Sequence, residues 1–351
     1  MPTGLRSLVT EPSSTHCDVP PTRCTFGGAR TRAVGGAMKI GLVLPLSEYP
    51  WGQPSYAEVR SLALQAEDSG FDSLWVFDHL LFRAADGTSE GIWESWTVLS
   101  ALAEATERVE LGTLVMCTAF RNPAVLAKMA VTLDEVSGGR LLLGLGSGWH
   151  EPEFDAFGIP FDHRVDRFEE ALQIIVPLLR TGRADFTGRH HRLRDGELRP
   201  RGPRPGGPPV LVGAHRPRMT ALAVRYADLW NSCWFGSPRG AVEVLAKVRK
   251  SCLQEARDPA TLGITLGVNV DVRGGGEGGP GEGGPPGADI LAGSPDAVAR
   301  GLQQYASLGV SHLILNLNPH HRAAQRRLSA ALRLYRSGAR PSAESAEKVN
   351  Q

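Results

Sequence analysis

An acidic residue stands directly before a histidine at Asp78-His79, and the pair follows the apolar run at residues 74–77. Histidine changes its charge near neutral pH, so a histidine beside a carboxylate can donate or accept a proton. The dipeptide alone favours a non-catalytic interpretation, in which Asp78 caps the following turn and His79 is an ordinary polar residue. Its place at the end of a predicted strand favours a catalytic interpretation. We therefore expect His79 to handle a proton and Asp78 to orient it.

A glycine-rich loop, Gly146-Ser147-Gly148-Trp149, follows the apolar run at residues 141–145. Glycines lack a Cβ, so their backbone can approach a planar ring or its polyol chain closely. Trp149 would then lie over the ring or form a wall of the substrate cavity. The Gly-x-Gly triplet is weak evidence by itself, but its place after a predicted strand favours a cofactor-binding loop. Three charged or titratable residues follow and are expected to be solvated: His150, Glu151 and Glu153.

A third segment, Gly213-Ala214-His215-Arg216, lies between an apolar run at 209–212 and helical spacing at 218–226. Backbone N–H groups at the start of a helix bind phosphate, and cationic side chains add to the attraction. The alternative is an ordinary turn that contains a glycine. We expect this segment to hold the phosphate of a cofactor.

These three segments are positioned by an alternation of strands and helices. Predicted strands are residues 39–45, 73–77, 109–115, 141–145, 209–212, 229–233, 263–272 and 312–317. Helical spacing follows each of them, at 56–69, 96–106, 122–136, 164–179, 218–226, 241–256, 295–308 and 321–334. This pattern predicts an α/β fold with a single (β/α)8 TIM barrel, whose site lies at the carboxyl ends of the strands. An open doubly wound sheet is the alternative, but the first strand runs into Leu44-Pro45-Leu46-Ser47, which lacks a dinucleotide-type glycine turn.

The ends and interruptions of the chain have a different composition. Residues 1–37 are rich in Pro, Thr, Ser, Gly and Arg, and we interpret them as a disordered extension or a start codon placed too early, with Met38 as the functional beginning. The barrel is expected over residues 38–337. Residues 184–208 and the Gly/Pro tract 273–287 are predicted loop insertions, and 338–351 a polar tail.

Bulk properties exclude several classes of partner. A net charge of +1 over 351 residues gives no electrostatic reason to expect nucleic acid or an anionic membrane, and no apolar run approaches a membrane span. The five cysteines are scattered without metal-ligand spacing, which indicates reduced thiols in a cytoplasm. His190-His191 are adjacent rather than spaced along one helix face, so no metal site is predicted.

Several of these segments also carry a family resemblance. The matching residues are Gly112-Thr113, Phe120-Arg121-Asn122-Pro123, Ser137-Gly138-Gly139-Arg140, Gly144–Gly148 with Trp149, and the stretch around Gly213 to Asn231. Together they resemble the luciferase-like family of flavin and deazaflavin oxidoreductases, over roughly residues 38–319. The resemblance implies a TIM barrel, a homodimer and a polar pair after the second strand that contacts the cofactor ring.

The resemblance also implies a cofactor. The Asp78-His79 form of the polar pair favours coenzyme F-420 over FMN, and hydride would pass between the deazaflavin ring and a small organic substrate. In the deazaflavin branch the third strand often ends in a bulge with a non-proline cis peptide that backs the ring. The corresponding segment here is Thr113-Leu114-Val115, and the candidate cis bond joins Leu114 to Val115.

Two rival functions remain open from the sequence. The first is an FMN-dependent, oxygen-using monooxygenase on the same scaffold, and the second is a non-catalytic barrel. The substrate pocket is expected among the loops 80–94 and 150–161 and an arginine-rich insertion. Those arginines form either a positive rim for the phosphate and oligoglutamate of coenzyme F-420 or a solvated loop, and the solvated loop is favoured: Arg189, Arg192, Arg194, Arg199, Arg201 and Arg204.

Overall fold

The computed structural model describes residues 37–49, 52–272 and 289–338. The predictions for the leading segment before Ala37, for the loop 273–287 and for the tail beyond Gly338 concern residues outside this part of the chain. No described helix combines the length and the apolar character needed to cross a membrane.

Strands and helices alternate along the described chain. The strands are β1 (Lys39–Val43), β2 (Ser73–Val76), β3 (Leu81–Arg83), β4 (Ser89–Gly91), β5 (Glu110–Thr113), β6 (Met116–Cys117), β7 (Leu141–Gly146), β8 (Arg183–Thr187), β9 (Arg192–Glu197), β10 (Val210–Gly213), β11 (Leu229–Phe235), β12 (Gly263–Val272), β13 (Leu291–Gly293) and β14 (His312–Leu317). The helices are α1 (Tyr56–Asp68), α2 (Ser95–Ala105), α3 (Pro123–Val136), α4 (Glu151–Ala156), α5 (Arg164–Thr181), α6 (Pro217–Tyr226), α7 (Pro238–Gln254), α8 (Pro295–Ser307) and α9 (Arg322–Ser337).

The eight predicted strands close into a parallel barrel. β1 pairs with β14 on one side and with β2 on the other, and β5, β7, β10, β11 and β12 continue the circle back to β14. This confirms the predicted TIM barrel, and the open-sheet alternative is wrong because β10 pairs with both β7 and β11. The carboxyl ends of all eight strands therefore meet at one face.

The insertion at 184–208 is partly a hairpin. β8 and β9 pair antiparallel and return the chain beside α5. A second hairpin, β3–β4, follows the Asp78-His79 pair. Both hairpins were missed because their strands are short and polar, so they lack the apolar run that identifies a barrel strand.

Local sequence determines where several barrel helices begin. Ser55 caps α1 in a capping box, in which Glu58 N donates to the hydroxyl and Ser55 N donates to the Glu58 carboxylate at 2.7 Å. Asn122 caps α3 and Ser294 caps α8. In each case the side-chain oxygen accepts a hydrogen bond from a backbone N–H group in the first turn of the helix. α6 differs: Arg216 stands at its N-cap, and no side chain caps its first turn.

A buried polar group lies inside the barrel near the amino ends of its strands. Trp75 Nε1 donates to Ser73 Oγ at 2.7 Å, and the same hydroxyl lies 2.7 Å from His312 Nε2. Burial lowers the pKa of His312 to about 3, so the imidazole is neutral in the folded protein. This group belongs to the barrel core, at the end opposite the expected site.

Candidate active site

Asp78 is buried at the end of β2 and is fully engaged by protein donors. Its carboxylate accepts from Ser95 Oγ at 2.7 Å and from Cys117 N at 2.8 Å. Arg121 adds two more bonds, from Nη1 at 2.8 Å and from Nη2 at 3.1 Å. None of these donors belongs to His79. The expectation that Asp78 orients the histidine is therefore wrong, because its oxygens are turned towards the loop after β5.

His79 is oriented by Glu153 instead. Its Nδ1 lies 3.0 Å from Glu153 Oε1, and the other oxygen accepts from Leu80 N at 2.8 Å. The rings of Phe82 and Trp149 flank the imidazole, at centroid distances of 4.4 and 5.5 Å. Within the described chain, no residue hydrogen bonds to Nε2 of His79. One nitrogen is thus held by a carboxylate while the other can face a substrate.

Glu153 was expected to be a solvated residue, and that expectation is wrong. Its side chain is only 1% exposed. It lies in the one-turn helix α4, which is anchored by the fully buried Phe154 against Phe120 and Phe161 at 5.2 and 5.1 Å. Phe154 was the sequence signal for the burial of Glu153, because an apolar residue in a charged loop can pack into the core and bring its neighbour inward.

The bulge at the end of β5 has the predicted geometry. The Leu114–Val115 peptide bond is cis, as the family resemblance implies. Thr113 is fully buried, and its hydroxyl both donates to Gly144 O at 2.9 Å and accepts from Gly144 N at 3.0 Å. Thr113 therefore supports the bulge from behind, and its hydroxyl is not free to contact a cofactor.

The glycines after β7 make room for the protein's own side chains. A Cβ at Gly146 would lie 2.5 Å from Val115 Cγ2, and one at Gly148 would lie 2.5 Å from Phe154 Cζ. Gly148 also has a φ of 76°, which other residues adopt at a cost. The loop glycines are thus required by packing before any ligand is considered. Ser147 is partly exposed and Trp149 is 66% exposed, so they are the members of this loop that can reach a ligand.

Two cysteines near the strand ends are packed rather than reactive. Burial raises the pKa of Cys117 and of Cys233 to about 12 in each case, so both thiols stay protonated at neutral pH. The peptide bond from Cys233 to Trp234 is also cis, and the Trp234 ring contacts Phe77 edge-on at 5.6 Å. Trp234 is 39% exposed near the end of β11, and it was not among the site residues expected from the sequence.

An amide pair marks the carboxyl halves of β12 and β14. Asn316 Nδ2 donates to Asn269 Oδ1 at 3.0 Å, and His320 Nε2 lies 3.2 Å from Asn316 Oδ1. Desolvation lowers the pKa of His320 to about 4, so it is a neutral hydrogen-bonding group at this edge. These three residues were absent from the sequence prediction, since isolated asparagines in an apolar strand are also common in cores.

The segment before α6 keeps the features of an anion site. Ala214 N is engaged by Asn231 O at 2.9 Å, and His215 Nδ1 lies 2.9 Å from Ser232 Oγ. Desolvation lowers the pKa of His215, which makes it a neutral donor or acceptor. Arg216 is exposed at the uncapped helix start. The uncapped first turn of α6 therefore offers backbone N–H groups next to a free cationic side chain.

The arginine-rich insertion is mostly engaged in structural contacts. Arg201 donates to the carbonyl of Thr181 at the end of α5 at 2.7 Å, and Arg204 Nε donates to Asp134 at 2.9 Å. Arg199 pairs with Glu197 at 2.9 Å. These contacts favour a structural and solvated insertion over a positive rim for a ligand.

A comparison with protein families decides the identity of this barrel. Residues 38–274 match the model of the luciferase-like monooxygenases. The chain belongs to that family. Its fold agrees, because the luciferase-like barrel is the fold of the solved structures that match it. One is the F420-dependent secondary alcohol dehydrogenase in complex with an F420-acetone adduct, at TM-score 0.70 and 18% identity, covering 86% of this chain and 99% of that one.

Other luciferase-like relatives point to different cofactors. Riboflavin lyase (RcaE), solved with modified FMN and the substrate riboflavin, matches at TM-score 0.69 and 14% identity, covering 88% of this chain and 93% of that one. In sequence, the pyrimidine monooxygenase RutA of Methylobacterium radiotolerans is 30% identical over 242 residues, 63% of this chain and 61% of that protein. The matched region spans about three fifths of that relative. The solved structures that share this fold thus include one F420-dependent enzyme and one enzyme solved with modified FMN.

Proposed function

We propose that the protein transfers hydride between coenzyme F-420 and a small organic substrate. The observation that supports this proposal is the His79–Glu153 pair, in which a carboxylate that is 1% exposed holds one nitrogen of a histidine at the carboxyl face of the barrel. Hydride transfer to or from a carbonyl or alcohol requires a partner that moves one proton at neutral pH. His79 is the titratable side chain held for that role at this edge of the barrel.

The residues at the strand ends fit a flat cofactor with a phosphate. When bound, the deazaflavin supplies the hydride-carrying ring carbon. Leu114 and Val115 would support one face of the ring, and Trp149 is exposed close to His79 at the edge of the same site. Ser147 and the backbone of Gly146 and Gly148 would border the ring or its side chain.

The proton step follows from how His79 is held. Glu153 accepts a hydrogen bond from Nδ1–H, which leaves Nε2 with a lone pair in the neutral imidazole. Nε2 can therefore accept the hydroxyl proton of an alcohol while hydride leaves its carbon. In the reverse direction the protonated imidazole donates from Nε2, and the buried Glu153 carboxylate stabilises its charge.

Phosphate binding is proposed for the start of α6. Gly213, Ala214, His215 and Arg216 lead into a helix whose first turn no side chain caps. The helix dipole and the free N–H groups favour an anion there, and Arg216 adds a cation. A homodimer is proposed as well, from the family resemblance, and sedimentation equilibrium would test it.

A second function is favoured by one finding. The 30% identity to a pyrimidine monooxygenase supports an FMN-dependent, oxygen-using enzyme. The two alternatives differ in cofactor while sharing the same barrel, bulge and phosphate site. His79 would act as a proton donor or acceptor in both.

Cofactor titration separates these alternatives. Purified protein is titrated with coenzyme F-420 and with FMN in parallel, with tryptophan quenching and cofactor absorbance as readouts. Tight binding of coenzyme F-420 alone supports the proposal. Preference for FMN, followed by substrate-dependent oxygen consumption, would replace it with the monooxygenase. Binding of neither would favour the non-catalytic barrel.

A further inference from the structure

Two histidines and an aspartate meet outside the barrel, between α5 and the tip of the β8–β9 hairpin. His163 immediately precedes α5, Asp166 lies in its first turn, and His190 lies between β8 and β9. One potential ligand atom from each residue lies within 4.8 Å of the other two. Two imidazoles with one carboxylate are a donor set that suits zinc and similar divalent metals.

The distances are close to those of a metal centre. His163 Nδ1 lies 3.3 Å from Asp166 Oδ2, which is about the separation of two ligands on a tetrahedral zinc ion with bonds of about 2.0–2.2 Å. The ring centroids of His163 and His190 are 5.5 Å apart. The ligand atom of His190 lies within 4.8 Å of the other two, so a change in its side-chain torsions would bring it to bonding distance.

The surroundings hold the three residues in place. The Glu170 carboxylate accepts from the backbone N–H groups of Arg189, His190 and His191 at 2.8, 2.9 and 2.8 Å, which ties the hairpin tip to α5. His163 has a φ of 51°, a conformation that non-glycine residues adopt rarely. The Glu170 contacts and the backbone conformation of His163 thus position two imidazoles that belong to different elements, the β8–β9 hairpin and the start of α5.

One polar atom in the cluster is buried without a partner. Nε2 of His190 has almost no solvent-accessible surface and makes no hydrogen bond. A buried polar nitrogen without a partner costs free energy, and a metal ion is one group that would satisfy it. On the other side of the cluster, His163 Nε2 lies 3.8 Å from Asp162 Oδ2. A carboxylate behind a metal-binding histidine is a common way to orient it.

We propose that His163, Asp166 and His190 bind a divalent metal ion of the zinc class, with water in the fourth position. Asp166 can serve as a ligand through Oδ2, since Arg218 pairs with its Oδ1 at 2.6 Å. The metal would link the β8–β9 hairpin to α5, next to the start of α6 that carries Arg218. The proposal differs from the sequence expectation of no metal, which considered His190 only together with its neighbour His191.

Metal titration of the full chain tests the proposal. After treatment with a chelator and its removal, the protein is titrated with Zn²⁺ by calorimetry and with Co²⁺, whose visible absorption reports tetrahedral nitrogen and oxygen ligands. We expect one equivalent to bind and the melting temperature to rise with Zn²⁺. His190→Ala should lose this equivalent or bind it roughly 100-fold more weakly, and so should His163→Asn, which tolerates the left-handed backbone.

His191→Ala is the matched control, because His191 occupies the same hairpin tip but lies outside the cluster. It should bind zinc as the parent chain does. Cys17 and Cys24 could also bind zinc, so the comparison is made between variants of one full chain that share them. Equal zinc binding by the parent, His190→Ala and His163→Asn would overturn the proposal, and so would the absence of any zinc binding by the parent.

Discussion

Nδ1 of His79, on the loop after β2, lies 3.0 Å from Oε1 of Glu153, on the short helix after β7. The two residues are 74 positions apart in sequence, and the pairing of β2 with β5 and of β5 with β7 brings their loops together. Neither loop contains both members of the pair. The proposed proton transfer would thus draw on two βα units, as is common at the carboxyl face of this fold.

Replacing Glu153 with glutamine should slow turnover while leaving cofactor affinity almost unchanged. The amide keeps the size of the side chain but removes the charge that fixes and stabilises His79. We expect kcat to fall roughly 10- to 100-fold and the cofactor Kd to change by less than about threefold. Steady-state kinetics and a cofactor titration on the same preparation measure the two effects.

Replacing His79 with alanine tests the reacting group directly. The variant should lose roughly 100-fold or more in kcat because no side chain moves the proton. Cofactor affinity should fall far less than turnover. Equal losses in turnover and in cofactor binding would instead indicate a structural histidine packed between Phe82 and Trp149.

Gly213→Asp should severely weaken cofactor binding without unfolding the protein. A Cβ at this position lies at ordinary contact distance, 3.4 Å, from the Val115 methyl groups, so a side chain can be accommodated. The new carboxylate would repel a phosphate at the start of α6. Gly213→Ala is the control, with affinity close to the parent value. If both variants bind alike, the phosphate lies elsewhere.

Asp78→Asn should destabilise the fold. The change leaves the Arg121 guanidinium partly buried beside a neutral amide, and breaking such an ion pair costs about 3 kcal/mol or more. Glu94→Gln is the matched control, because Glu94 contacts the same arginine but its side chain is 42% exposed. Glu94→Gln should lower the free energy of unfolding by no more than about 1 kcal/mol. Urea denaturation of both variants gives the comparison, and equal costs would show that the buried pair is not the dominant contact.

Stability should fall as the pH drops below about 6.5 because of His312. Its folded-state pKa of about 3 lies below its unfolded value of 6.5, so the unfolded chain binds the proton first. The contribution of His312 is complete above pH 6.5 and is lost progressively as the pH falls towards 3. The slope of the unfolding free energy against pH approaches about 1.4 kcal/mol per pH unit. His320 adds to this slope in the same direction, because its pKa is also lowered in the folded protein.

The contribution of His312 can be isolated by substitution. His312→Gln lacks the titrating group, so its unfolding free energy should depend less steeply on pH between 6.5 and roughly 5, before most carboxylates titrate. Denaturant unfolding at several pH values measures the slope for each protein. An unchanged slope in the variant would exclude His312 as the source.

Much of the barrel was predictable because its strands carry continuous apolar runs. The predicted bounds of β12 and β14 agree with the structure, since in each case a polar residue, Arg273 or Asn318, directly follows the last apolar residue. The polar hairpins β3–β4 and β8–β9 were not predicted, because tertiary contacts and local pairing hold them without an apolar pattern. Individual element types were therefore easier to infer than the loops that connect them.

The candidate site was predictable only in part. The strand ends placed His79, the β5 bulge and the start of α6 correctly at one face. The partner of His79 was not predicted, because burial of Glu153 depends on how Phe154 packs against Phe120 and Phe161, and Phe154 alone was only a weak signal of it. The packing role of Gly146 was missed for the same reason, because the side chain that it accommodates, Val115, comes from the segment between β5 and β6.

The placement of Glu153 has a consequence for recombining this scaffold. Trp149 and Glu153 lie on one contiguous segment, and both contact a histidine supplied by another βα unit. A chimera that imports this segment from a relative to alter substrate choice would also exchange the partner of His79. If His79 transfers the proton as proposed, such a graft would change catalytic competence together with specificity, unless the segment after β2 is transplanted with it.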